Sequence, residues 1–136
     1  MPSSASWWSV CYGNGRFAAV SENSDNKAAY SENGINWAPA ALPSNGNWRS
    51  ICYGNDKFLT VDYNNNRTAY SGDGINWTVT AALPSSALWW SVCYGNGRFI
   101  AAGHSNKIAY SENGINWAVL DIPGGANWQS ICYGGD

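Results

Sequence analysis

The sequence predicts an all-β fold of repeated four-stranded antiparallel units, and three observations predict it. The Cys-Tyr-Gly triplets begin at Cys11, Cys52, Cys93 and Cys132, with spacings of 41, 41 and 39 residues. Segments ending in Gly-Ile-Asn-Trp close at Trp37, Trp77 and Trp117, spaced 40 and 40. Between these landmarks lie short runs of aromatic and β-branched residues bounded by Gly/Asn turns, and no run holds the 3.6-residue apolar period of a helix. A fixed period of this length marks an array of similar units. The chain divides as one repeat domain, 1–136, into repeats 1–41, 42–82 and 83–121, with 122–136 restarting the pattern.

The first repeat sets the order of elements. Trp7–Tyr12 reads as a strand bounded by Gly13-Asn14-Gly15, and Arg16–Val20 returns from that turn as the second strand of a hairpin. The next loop differs in length among copies, which marks an exposed tip. Lys27–Ser31 is a third strand leading into Glu32–Asn36, where Asn-Gly favours positive φ. Trp37 opens the fourth strand, and Leu42-Pro43 ends it, as Leu83-Pro84 and Ile122-Pro123 do later.

Four short strands per unit match a β-propeller blade. One such sheet cannot bury both its faces, so blade must stack on blade. The copies separate frame from decoration. Trp7, Trp48, Trp89 and Trp128 are identical, as are Trp37, Trp77 and Trp117, and Phe17, Phe58 and Phe99. These belong to blade cores and seams. The adjoining position reads Trp8, Arg49, Trp90, Gln129, a set that no shared packing hole accepts, so it is expected to face solvent or a ligand. The rival fold is a β-trefoil, whose three repeats close without a fourth beginning.

Composition narrows the function classes. Nine Trp and eight Tyr stand against 12% charged residues, unlike a disordered segment or a nucleic-acid binder. A net charge of -2 gives no electrostatic reason for a phosphate-backbone partner. No apolar run is long enough to cross a bilayer as a helix, and the first residues lack a signal peptide's basic and apolar regions. The four cysteines occupy one position of each repeat, with no Cys-x-x-Cys pair. They read as buried free thiols made in a reducing, cytoplasmic compartment, not as disulfides or metal ligands.

The segments Ser31-Glu32-Asn33-Gly34-Ile35-Asn36-Trp37, Ser71-Gly72-Asp73-Gly74-Ile75-Asn76-Trp77 and Ser111-Glu112-Asn113-Gly114-Ile115-Asn116-Trp117 resemble the Asp-box of sialidase-like β-propellers. The spacing from Ser to Trp is one residue shorter, and Asn replaces Asp in two copies. The resemblance implies a structural turn between third and fourth strands, carried by Ser31, Asn33, Gly34 and Trp37, by Ser71, Asp73, Gly74 and Trp77, and by Ser111, Asn113, Gly114 and Trp117. The whole repeat is similar to propeller segments of bacterial and phage tail-associated proteins, which implies a virion-associated place. Sialidase activity does not transfer: only Arg16, Arg49, Arg67 and Arg98 are available for its arginine cluster, and Arg16 and Arg98 share one frame position.

No catalytic set emerges from the residues. His104 is the only histidine and reads as a surface side chain in a variable loop. The carboxylates fall mostly in turns, and the Asp62–Asn66 loop reads as ordinary loop polarity before calcium. No enzyme activity, cofactor or metal is expected. Recognition remains: exposed aromatics beside amides suit sugars, and repetition multiplies weak sites. The expected lining is Trp8, Arg49, Trp90 and Gln129 with Asn26, Asn66 and Asn106. The sequence therefore predicts a lectin-like, carbohydrate-binding module, against a purely structural or engineered propeller with no ligand. Since propellers have roughly four to eight blades, three blades plus one strand are expected to close by homo-oligomerisation, most simply as a dimer.

Overall fold

The computed structural model describes residues 5–22, 25–80, 83, 88–104 and 107–121. Its twelve strands form three separate four-stranded antiparallel sheets. The first holds β1 (Ser6–Gly13), β2 (Arg16–Glu22), β3 (Asp25–Ser31) and β4 (Ala38–Gly46) in that order. The second holds β5 (Trp48–Gly54), β6 (Lys57–Asp62), β7 (Thr68–Ser71) and β8 (Thr78–Thr80). The third holds β9 (Trp89–Gly95), β10 (Arg98–Gly103), β11 (Lys107–Ser111) and β12 (Ala118–Asp121). Three meandering sheets are the blades of a propeller arc that does not close among the described residues, and not the single closed body of a trefoil. The thirteenth strand expected from 122–136 lies outside the described residues.

The hairpins form for a local reason. Gly13 pairs with Arg16, leaving Asn14-Gly15 as a two-residue loop with both φ values positive, 51° and 74°. That is the twist a right-handed ribbon needs, and Asn-Gly tolerates it. The first three strands each run one or two residues beyond the expected limits, and the fourth differs at both ends. The fourth strand starts after its tryptophan, at Ala38 rather than Trp37, because the indole closes the preceding turn. In the first blade it also runs through Pro43 instead of ending there. It tolerates Pro39 and Pro43 because it is the outer edge of its sheet, where a missing N–H costs nothing.

The blades stack with their first strands together. Backbone Ile51 N donates to Ser9 Oγ at 3.2 Å, and Val92 N to Ser50 Oγ at 3.1 Å, tying β1 to β5 and β5 to β9. Between the first and second blades, Ala18, Val20 and Ala28 pack with Trp48, Ile51, Phe58 and Trp77. Between the second and third, Leu59 and Val61 pack with Trp89, Val92 and Phe99. Trp48, Trp89, Phe58 and Phe99 are fully buried, as their repetition predicts. Trp7 and Phe17 are only half-buried, because they belong to the blade whose forward face no described residue covers. Trp128 lies outside the described residues.

Candidate functional site

In each first strand the register slips by one residue. Trp7 pairs with Ser21 and Ser9 with Val20, leaving Trp8 unpaired; Arg49 and Trp90 are left over in the same way. A β-bulge re-aims its extra side chain, and here it turns three successive residues toward one another. The Arg49 guanidinium carbon lies 4.9 Å from the Trp8 ring centre, 4.3 Å from Tyr63 and 4.2 Å from Trp90. Glu22 completes the cluster by accepting a hydrogen bond from Arg49 Nη2. His104 packs on Trp90 with ring centres 5.1 Å apart, and Tyr63 meets Trp90 edge-on at 4.7 Å.

This arrangement revises two expectations. Position 49 is not turned to solvent: the Arg49 side chain is 11% exposed and fills the seam between two tryptophans. His104 is not an unsupported surface histidine but a half-buried packing partner. The sequence offered no signal for the bulge, although the mixed set Trp-Arg-Trp is what a cation between two indoles requires. Trp8 keeps its exposure, at 54%. Arg49 Nε, Trp90 Nε1 and His104 Nε2 are buried in the cluster and find no hydrogen-bond partner among the described residues.

The other lining residues are not gathered here. Asn26 Nδ2 donates to the Leu42 carbonyl, fixing an outer strand pair. Asn66 adopts φ 55° in the loop after β6, and its carbonyl accepts from Leu83 N. Gln129 and Asn106 lie outside the described residues. The Asp62 loop has an exposed tip at Asn64 and Asn65, as its variable length predicts, but Asp62 itself is turned inward. Asp62 is fully buried and accepts from Asn47 N, Asn64 N, Asn65 Nδ2 and Arg67 Nε and Nη2, so internal donors occupy both its oxygens.

The Ser-x-Asn/Asp-Gly turns are built alike three times. Gly34, Gly74 and Gly114 each donate N–H to the serine Oγ of the same turn at 2.8 Å. Asn33 Oδ1 accepts from Ile35 N and Asn36 N, both at 2.8 Å; Asp73 and Asn113 do the same in their copies. The indole N–H of Trp37, Trp77 and Trp117 donates back to the glycine carbonyl at 3.2, 3.3 and 3.3 Å. The Asn-for-Asp exchange thus leaves the geometry intact, since one side-chain oxygen serves in either residue.

Asp73 differs in being ionisable and in its second oxygen, which accepts from Asn76 Nδ2 at 2.9 Å. Hydrogen bonds, chiefly from Asn76 N and then from Ile75 N and two side chains, together outweigh the opposing effect of burial and hold its carboxyl well below the usual range. A group whose folded pKa is lowered stabilises above its unfolded value, near ~3.9 for Asp, and loses that contribution as pH falls toward the folded value. Asp73→Asn is therefore expected to cost under about 1 kcal/mol at pH 7. It is also expected to flatten the loss of stability below about pH 4. Urea melts from pH 2 to 7 check this; parallel curves for the two proteins would contradict it.

Beside two of these turns lies the same open hollow. One, of about 360 Å³, is lined by Tyr30, Glu32, Asn33, Asn36 and Trp37 among others. Its equivalent, about 390 Å³, is lined by Tyr110, Glu112, Asn113, Asn116 and Trp117. The sequence marked these turns as structural and gave no hint of a concavity. In the second repeat Gly72 stands in place of the glutamate.

The thiols are not poised for chemistry. Cys11, Cys52 and Cys93 carry no disulfide and are partly buried. Burial pushes the Cys11 thiol up to about 12, and Cys52 well above its ordinary value, with Cys11 and Cys93 adding to the effect of burial. Near neutral pH both remain protonated and poor nucleophiles.

Three meander sheets stacked through their first strands define a β-propeller segment. Solved structures agree. Virginiamycin B lyase from Staphylococcus aureus is similar with a TM-score of 0.82 and 17% identity, over 95% of this chain and 46% of that one. YCF48 from Cyanidioschyzon merolae gives 0.67 and 21%, over 88% and 38%. The WD40 β-propeller domain of Doa1 gives 0.65 and 11%, over 90% and 43%. The chain thus spans less than half the length of these relatives, and at such identities the likeness is one of fold. No protein-family model and no curated protein matches the sequence.

Proposed function

We propose that this propeller segment is a carbohydrate-binding module that works as an assembly of copies and catalyses no reaction. The observation supporting the reading is the pair of equivalent hollows at Trp37 and Trp117. Their volumes sit at the small end of the roughly 300–1,000 Å³ of ligand sites. Each offers an indole and a phenol for sugar C–H faces, two asparagines, and a carboxylate able to accept from vicinal hydroxyls. Glu32 and Glu112 side chains are 76% and 78% exposed and within reach of a ligand, although Oε1 of each also faces an arginine, Arg16 at 3.2 Å and Arg98 at 3.8 Å. Two weak equivalent sites on one rigid body gain avidity on a multivalent glycan. Trp8, 54% exposed beside Arg49, is a third aromatic surface.

The Asp-box and tail-protein resemblances fit a host-glycan recognition role. The rival reading, a propeller without ligand, predicts no response to any sugar.

A glycan array followed by calorimetry on the best hit is the test. Glu32→Ala with Asn36→Ala is expected to halve the stoichiometry, and Glu112→Ala with Asn116→Ala to remove the other half. All four together are expected to weaken binding at least about tenfold, near 1.4 kcal/mol. These side chains are exposed, so folding should survive. A silent array, or binding indifferent to the four substitutions, would overturn the proposal.

A further inference from the structure

Each blade junction inside the chain is made by the same contacts. A cation at the start of the second strand reaches the turn of the following blade: Arg16 Nη1 donates to the Asp73 carbonyl at 2.7 Å, and Lys57 Nζ to the Asn113 carbonyl at 2.8 Å. The tryptophan ending that turn packs on the preceding blade, Trp77 with Ala18 and Ala28, Trp117 with Leu59. Two residues later, Val79 and Val119 join the same clusters. On the first strand Ile51 and Val92 are each 5% exposed, and the rings of Tyr53 and Tyr94 lie directly over Gly13 and Gly54.

Among the described residues both halves of this junction also occur unmatched. On the first blade Val10 and Tyr12, the counterparts of Ile51 and Tyr53, are 55% and 57% exposed, and Pro39, the counterpart of Val79, is exposed. On the third blade Arg98 stands where Arg16 and Lys57 stand. It lines a hollow of about 310 Å³ with Ile100, Ile108, Tyr110 and Leu120, and Leu120 is 53% exposed.

We propose that these two faces are partners: the first blade of a second copy docks its Trp37 turn and Pro39 into the Arg98–Ile100–Leu120 hollow of the third blade. Arg98 then donates to the second copy's Asn33 carbonyl, as Arg16 and Lys57 do to Asp73 and Asn113. The occupant is a copy of this chain because the contact continues a junction the chain already makes twice, with a cation and an apolar hollow facing a carbonyl and a tryptophan. Such a contact is heterologous, head to tail, and two of them related by a twofold axis close a ring. The sugar hollow beside Trp117 exists while Asn113 is bonded to Lys57, so docking at Asn33 leaves its equivalent open. The inference rests on the self-assembly half of the proposed function and is independent of the sugar half.

Native mass of the intact chain at micromolar concentration tests it, with two variants at exposed positions, Pro39→Glu (head) and Leu120→Glu (tail). The parent is expected to run as a closed oligomer. Each variant alone is expected to associate more than tenfold more weakly, with an unchanged circular-dichroism spectrum. Mixing the two is expected to restore a two-chain species, because the tail variant keeps a sound head and the head variant a sound tail. Arg98→Ala gives a second measure, a partial weakening without an introduced charge. A monomeric parent, association indifferent to all three variants, or a mixture that stays apart would overturn the proposal. Glycan titration of the same samples separates this failure from failure of the sugar reading.

Discussion

Gly54→Ala is expected to destabilise the protein by about 3 kcal/mol, lowering Tm by roughly 10 °C. A Cβ on Gly54 would lie 2.0 Å from Tyr94 Cγ and 2.6 Å from its Cβ, distances no van der Waals contact permits. The ring cannot swing aside cheaply, because its other side is packed against Phe99 with centres 4.8 Å apart. The methyl must therefore push the second and third blades apart where their first strands meet. Gly13→Ala is expected to act alike between the first and second blades, where Tyr53 Cγ lies 2.1 Å from the built atom. Gly72→Ala is the control: nothing lies within 4 Å of its Cβ, so stability should hold within about 0.5 kcal/mol. Thermal melts followed by circular dichroism decide it, and equal Tm values for Gly54→Ala and Gly72→Ala would refute the seam.

The second large effect is expected at Asp62. Removing its carboxylate in Asp62→Ala should cost about 3–5 kcal/mol, because a buried charge pair is broken and not replaced. Arg67 loses the oxygen at 2.5 Å from its Nη2, keeping its bonds to Ser44 Oγ and the Asn45 carbonyl at 2.9 and 2.7 Å. Asn47 N and Asn64 N lose their acceptor as well. Asp62→Asn keeps one oxygen as acceptor for those N–H groups but sets an NH2 donor against Asn65 Nδ2 and Arg67, so only a minor part of the cost should return. Urea denaturation of the two variants measures the difference. A loss below about 1 kcal/mol for Asp62→Ala would show that the cluster is surface decoration.

How much of this was legible in the sequence depends on how local each feature is. Asn14-Gly15 takes positive φ wherever it occurs between two strands, so the hairpin could be read directly. The Ser31–Trp37 turn closes on its own side chains, so its three copies share one geometry whatever surrounds them. The repeated Trp48, Trp89, Phe58 and Phe99 are buried because every blade needs the same filling. The candidate site was only half legible. Variation among copies set Trp8, Arg49 and Trp90 apart, but no local pattern said that Arg49 would be buried between the two indoles.

By itself, then, the sequence determined the repeat, the strand order and the turns, because these follow from neighbours a few residues apart. Tertiary structure alone decided that Arg49 lies between two indoles, that Asp62 and His104 are packed rather than loose, and that hollows open beside Trp37 and Trp117. A bulge aims a side chain at whatever the next blade presents, and that surface comes from residues about one repeat away. No local pattern records it.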